Sequence, residues 1–102
     1  MNGIGISFDE SRLIQFCRTW KISRLGLFGS VLADDFSPQS DIDVLVSFEP
    51  SAPWNLFDLI DLKSGLAEIF GRKVDLVEEQ AIRNPYRRKS IMETRKVIYE
   101  AS

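Results

Sequence analysis

Residues 41–48, Asp-Ile-Asp-Val-Leu-Val-Ser-Phe, narrow the possible folds of this chain more than any other stretch. The run is rich in β-branched residues and alternates in polarity, as a half-buried strand requires. In a strand, residues i and i+2 share a face and lie roughly 6.6 Å apart along the chain. Asp41 and Asp43 therefore fall on one face, and Ile42, Val44 and Val46 enter a core from the other. Two neighbouring carboxylates repel, and desolvation makes the repulsion worse. A divalent cation reverses the sign, because both ionised groups become ligands. Taken alone, the pair also reads as the polar, solvated mouth of a strand.

The rest of the chain supplies the elements around that strand. Ser7 and Glu10 form a capping-box pattern, and Leu13, Ile14, Cys17 and Trp20 follow at helical spacing, predicting an amphipathic helix over 8–20. "RLGLFG" predicts a short strand ending at Gly29. "NLFDLIDLKSGLAEIFG" predicts a helix with Leu56, Leu59, Ile60, Leu62, Leu66 and Ile69 on its core side and Gly71 as its C-terminal cap. "KVDLV" is a third strand, "NPYRRKSIME" starts a helix with a capping asparagine and a first-turn proline, and "KVIY" is a final strand. There is no internal repeat, low-complexity segment or linker, so residues 1–102 are expected to form a single domain. The order helix, strand, strand, helix, strand, helix, strand implies an α/β (α+β) domain built on a small mixed β-sheet with flanking helices. The first two strands are joined by about a dozen residues, longer than an ordinary hairpin loop, and loops of that length are often functional.

Chemistry is narrowed by composition. The chain contains no histidine, which removes histidine triads, imidazole acid–base catalysis and most zinc sites. Any reaction must use carboxylates, lysine, hydroxyls, the lone thiol of Cys17 or a bound metal. The net charge of −2 lacks the basic surplus of a dedicated nucleic-acid binder, so no direct nucleic-acid binding is expected. No run approaches the roughly 18 apolar residues of a membrane span, no signal-peptide pattern is visible, and the one cysteine has no internal partner. A cytoplasmic protein is the expectation.

Two further features bear on the aspartate pair. Gly29-Ser30 closes the apolar run of the first strand. Glycine lets a backbone approach a ligand closely, and a serine-capped turn can hold phosphate oxygens on its amides. A plain strand-to-turn exit would look the same. Asp75 lies within the apolar third strand, where a carboxylate needs water, a partner or a metal. Three carboxylates on strands beside a Gly-Ser turn are the equipment of in-line phosphoryl or nucleotidyl transfer.

The combined pattern, apolar-Gly29-Ser30, the ten residues 31–40, then Asp41-apolar-Asp43-apolar, resembles the signature of the DNA polymerase β-like nucleotidyltransferase superfamily. The wording "LFGSVLADDFSPQSDIDVLVSFEP", with "GRKVDLV" and "RNPYRRKSIMETRKVIYEA" later, resembles the minimal nucleotidyltransferase (MNT) family of prokaryotic antitoxins over nearly the whole chain. The resemblance implies a polymerase β palm-like nucleotidyltransferase fold. It implies that Gly29 and Ser30 hold the β- and γ-phosphates of ATP. It further implies that Asp41, Asp43 and Asp75 are the catalytic metal ligands for Mg²⁺, two ions in all, with Asp75 helping to activate the acceptor hydroxyl. Members commonly pair with a HEPN-domain toxin, and transfer of AMP from ATP to a tyrosine of that toxin is the implied reaction. A non-catalytic antitoxin that neutralises its partner by binding alone is the alternative. A small-molecule acceptor is disfavoured, because such enzymes usually bring a second domain to bind it. A homo-oligomer remains compatible with the sequence. Many members carry an arginine or other polar residue near position 33, where this chain has Ala33.

Several other residues stand out. Asp34 and Asp35 read as a solvated turn. Trp54, after Pro50 and Pro53, reads as a core cover or a partner anchor, and Cys17 as a small core residue. Arg83, Arg87, Arg88 and Lys89 cluster at the start of the last helix, where each charge opposes the helix dipole at a cost of about 0.3–1 kcal/mol. They read as a solvated basic face, or as a site for phosphate or an acidic partner.

Overall fold

The computed structural model describes residues 6–32 and 41–101. Helix α1 (Glu10–Thr19) leads into strand β1 (Ile22–Phe28), which ends in a 3₁₀ turn (Gly29–Leu32). Strand β2 (Ile42–Phe48), helix α2 (Leu56–Phe70) and strand β3 (Val74–Glu78) follow. A short 3₁₀ turn (Glu79–Ala81), helix α3 (Pro85–Thr94) and strand β4 (Lys96–Glu100) complete the chain.

The four strands form one mixed sheet in the order β3-β2-β1-β4. β1 runs antiparallel to both β2 and β4, whereas β2 and β3 are parallel. A parallel pair needs a crossover, and α2 provides it. Alternation along the strands divides the side chains between two cores. On one face, Leu25, Leu27, Ile42, Val44, Val46 and Val74 pack with Leu13 and Cys17 of α1 and with Leu62, Leu66, Ile69 and Phe70 of α2. On the other, Phe28 and Leu45 meet Ile82 and Ile91, so α3 and the segment before it cover part of that face.

Local signals explain most of the element ends. Gly71 terminates α2 with φ 66°, a left-handed conformation that glycine adopts without strain. Asn55 caps its start in a full capping box, accepting from the Asp58 amide while the Asp58 carboxylate accepts from the Asn55 amide. Asn84 caps α3 by accepting from the amides of Tyr86 and Arg87. The first helix departs from expectation. It starts at Glu10, and Asp9 caps it by accepting from the Arg12 amide at 3.1 Å, so Ser7 lies outside the capped turn. The core side of α2 is also narrower than the apolar pattern implies: Leu56 and Ile60 are 78% and 61% exposed, and Phe57 is 79% exposed. The helix is apolar around most of its first turns, so periodicity alone cannot tell which stripe the sheet takes. α1 and α2 meet at Gly65, where an added Cβ would drive into the ring of Phe16.

Trp54 lies against Trp20, which packs against this core. Its indole N–H donates to the Trp20 carbonyl at 2.6 Å, and the two rings lie 4.8 Å apart.

Candidate active site

β1 ends at the same edge of the sheet where β2 and β3 begin, because β1 is antiparallel to β2 and β2 parallel to β3. That edge gathers the residues singled out above. Asp43 pairs with Phe28 on one side and with Asp75 on the other. Directly opposed residues of neighbouring strands share a face at a spacing of roughly 5 Å. Asp43 and Asp75 therefore stand side by side on the face that α3 partly covers. Asp41, two residues earlier, is exposed just before β2 begins. Asp43 is half-buried and Asp75 exposed.

The Gly29 backbone belongs to the same arrangement. Its φ is 74°, and a Cβ built there would coincide with the Asp43 carboxylate. Position 29 is therefore closed to other residues twice over, by backbone conformation and by the packed carboxylate. Gly29 and Ser30 open the 3₁₀ turn, so the backbone amides of that turn lie next to Asp43. The group that Gly29 approaches in the structure is thus a side chain of the neighbouring strand.

The donor set fits a hard cation such as Mg²⁺, which prefers carboxylate oxygens and tolerates few of them. Asp43 and Asp75 on adjacent strands and Asp41 two residues upstream of Asp43 offer those oxygens at one end of the sheet. Among the described residues, no three acidic or other ligand-type side chains already converge on a single point. Mutual repulsion gives a physical reason for carboxylates to stand apart before a cation neutralises them. Two clefts of about 250 and 440 Å³ lie elsewhere, one around Glu49 and Trp54 and one between α1 and β4, and neither is lined by these aspartates.

Arg88 of the basic cluster is placed away from this edge. The Arg88 guanidinium donates to the Glu79 carbonyl at 2.8 Å, just past the end of β3 opposite to Asp75. Ala33, Asp34 and Asp35 lie outside the described residues.

A family model for the nucleotidyltransferase domain matches residues 11–98. The chain belongs to the nucleotidyltransferase family. A provisionally named protein adenylyltransferase of Methanocaldococcus jannaschii is 38% identical over 74 residues, 72% of this chain and 74% of that protein. The protein adenylyltransferase MntA of Thermococcus cleftensis is 32% identical over 62% of each chain. Among solved structures, a minimal nucleotidyltransferase superposes with a TM-score of 0.68 at 31% identity, covering 84% of both chains. A toxin–antitoxin complex with AMP-PNP superposes with a TM-score of 0.70 over 92% of this chain and 75% of the other. An MNT antitoxin bound to tri-AMPylated HEPN toxin of Shewanella oneidensis gives 0.62 over 90% and 70%. At 22% identity these two show a shared fold. The mixed α+β domain of a minimal nucleotidyltransferase, expected from the sequence, is thereby established.

Proposed function

We propose that this nucleotidyltransferase is the antitoxin of a HEPN/MNT pair, and that it transfers AMP from ATP to a hydroxyl, a tyrosine, of its partner toxin. The single observation that carries the reading is the contact row of Gly29, Asp43 and Asp75 at one sheet edge. The relatives named as protein adenylyltransferases and the neighbours solved with HEPN toxin or AMP-PNP support the choice of nucleotide and acceptor.

In this reading, the amides of the Gly29-Ser30 turn hold the β- and γ-phosphates, since backbone N–H groups need no side chain to bind phosphate. Asp41, Asp43 and Asp75 hold Mg²⁺, which when bound neutralises developing charge on the attacking and leaving oxygens. The acceptor oxygen bonds to the α-phosphorus as the bond from that phosphorus to the bridging oxygen breaks, releasing diphosphate. Asp75 would also help activate the acceptor hydroxyl, a role that its exposure on the edge strand β3 supports. Acceptor access is from the open edge of the sheet, which suits a residue carried on another protein.

The test is intact-mass measurement of the HEPN-domain protein encoded in the adjacent reading frame, after incubation with this chain, ATP and Mg²⁺. AMP-sized increments are expected with the wild type and none with Asp41→Asn/Asp43→Asn, whose thermal midpoint stays near that of the wild type. An unmodified partner in the wild-type reaction overturns the reading. Full neutralisation of the toxin by the double variant points instead to binding alone.

A further inference from the structure

Helices α2 and α3 are capped alike and then differ in charge at the third helical position. Both have asparagine at the N-cap, and both asparagine side chains accept from the backbone of the first turn. In α2 the third helical residue is Asp58, which returns a hydrogen bond to the cap and completes the capping box. In α3 the same position holds Arg87. A cation there forgoes the returning bond and faces the positive end of the helix dipole. Arg83, Arg88 and Lys89 add to it, and no acidic residue occurs between Gln80 and Met92.

Among the described residues, Arg88 is the one of these cations with a structural contact. Arg88 is bound to the Glu79 carbonyl, with the Glu79 carboxylate 3.9 Å from its other nitrogen. Arg83, Arg87 and Lys89 are exposed, and among the described residues their side chains make no ion pair or hydrogen bond. Between them Tyr86 is 85% exposed. Arginine and tyrosine are the residue types that dominate protein–protein hot spots, and interfaces are matched in charge.

We infer that the exposed Arg83–Tyr86–Arg87–Lys89 face of α3 docks an acidic surface of the protein that this chain modifies. The inference rests on the proposed transfer to a protein acceptor. A chain of net charge −2 repels an acidic partner at long range, so a local basic face sets the orientation of approach. Arg88 anchors the face at the end of β3 opposite to Asp75, so docking and chemistry occupy separate places. The face therefore contributes to acceptor affinity and leaves the chemical step alone.

The test compares wild type with Arg83→Glu/Arg87→Glu in the AMP-transfer assay, with the acceptor concentration varied at low and high salt. At low salt KM for the acceptor is expected to rise at least about tenfold, with kcat within about twofold. The salt dependence of KM should flatten. The thermal midpoint of the variant should rise, because glutamate at position 87 completes the box that α2 already has. An unchanged KM with active wild type overturns docking, whereas inactive wild type overturns the transfer reading itself. A lower midpoint accompanying the lost affinity assigns the cluster a structural role and also overturns docking. Fluorescent oligouridine is titrated in parallel. Tight binding lost in the variant, with KM for the protein unchanged, gives the face to nucleic acid and defeats the inference.

Discussion

Gly29 is the residue on which the geometry of the site depends. Its positive φ and the Asp43 carboxylate against it leave no room for a side chain. Gly29→Ala is expected to destabilise the fold by about 1–3 kcal/mol, from strain and displacement of Asp43. It should also lower AMP transfer far more than that stability loss explains, checked by urea melts beside rate measurements below the melting range. Cys17 acts at the same scale through a different term. It is fully buried in the core of α1, and burial pushes its thiol up from 9.0 to about 12. The folded state then holds its proton where the unfolded chain has lost it. Its stabilising effect is complete below pH 9 and is lost as pH rises through the window from 9 to 12. Stability should fall in that window by up to about 1.4 kcal/mol per pH unit, and Cys17→Ala should remove this part of the slope in urea melts taken at successive pH values. The aspartates and the glycine stood out in the sequence because they interrupt apolar runs, and the buried thiol because Cys17 falls on the apolar side of its helix. Asp9 as the cap of α1 was not, since Ser7 offers an equally good local pattern one turn too early.

At the scale of elements, capping chemistry decides where α2 begins. Asn55→Ala removes the side-chain acceptor and strands the Asp58 amide, at a cost of about 1 kcal/mol, with the helix still formed by its burial. Thermal unfolding followed by circular dichroism would show the midpoint lowered with the helical signal retained. Strand and helix positions followed from alternation, periodicity and the punctuation of Gly71, Asn84 and Pro85. The buried stripe of α2 did not. Leu56, Phe57 and Ile60 are as apolar as Leu62 and Leu66, and only the placement of the sheet and α1 selects between them.

For the whole molecule, strand order is what joins local motifs into a site. Nothing near Asp75 in sequence says that β3 lies beside β2 in parallel register, yet that pairing alone sets Asp75 against Asp43. The combination of Asp41, Asp43 and Asp75 could be singled out because a recurring pattern carried it, whereas the pairing of Asp43 with Asp75 becomes visible only in the assembled sheet. The assembled sheet also has unequal sides. α1 and α2 share a core of fourteen buried residues, whereas α3 and its approach rest on a cluster of four. Cooperative units with few buried side chains open at lower free energy than the rest of a fold. The roof over the carboxylate face is thus the piece that can lift while the remainder stays folded, so one sheet is rigid where two helices clasp it and yielding where a single helix leans on it.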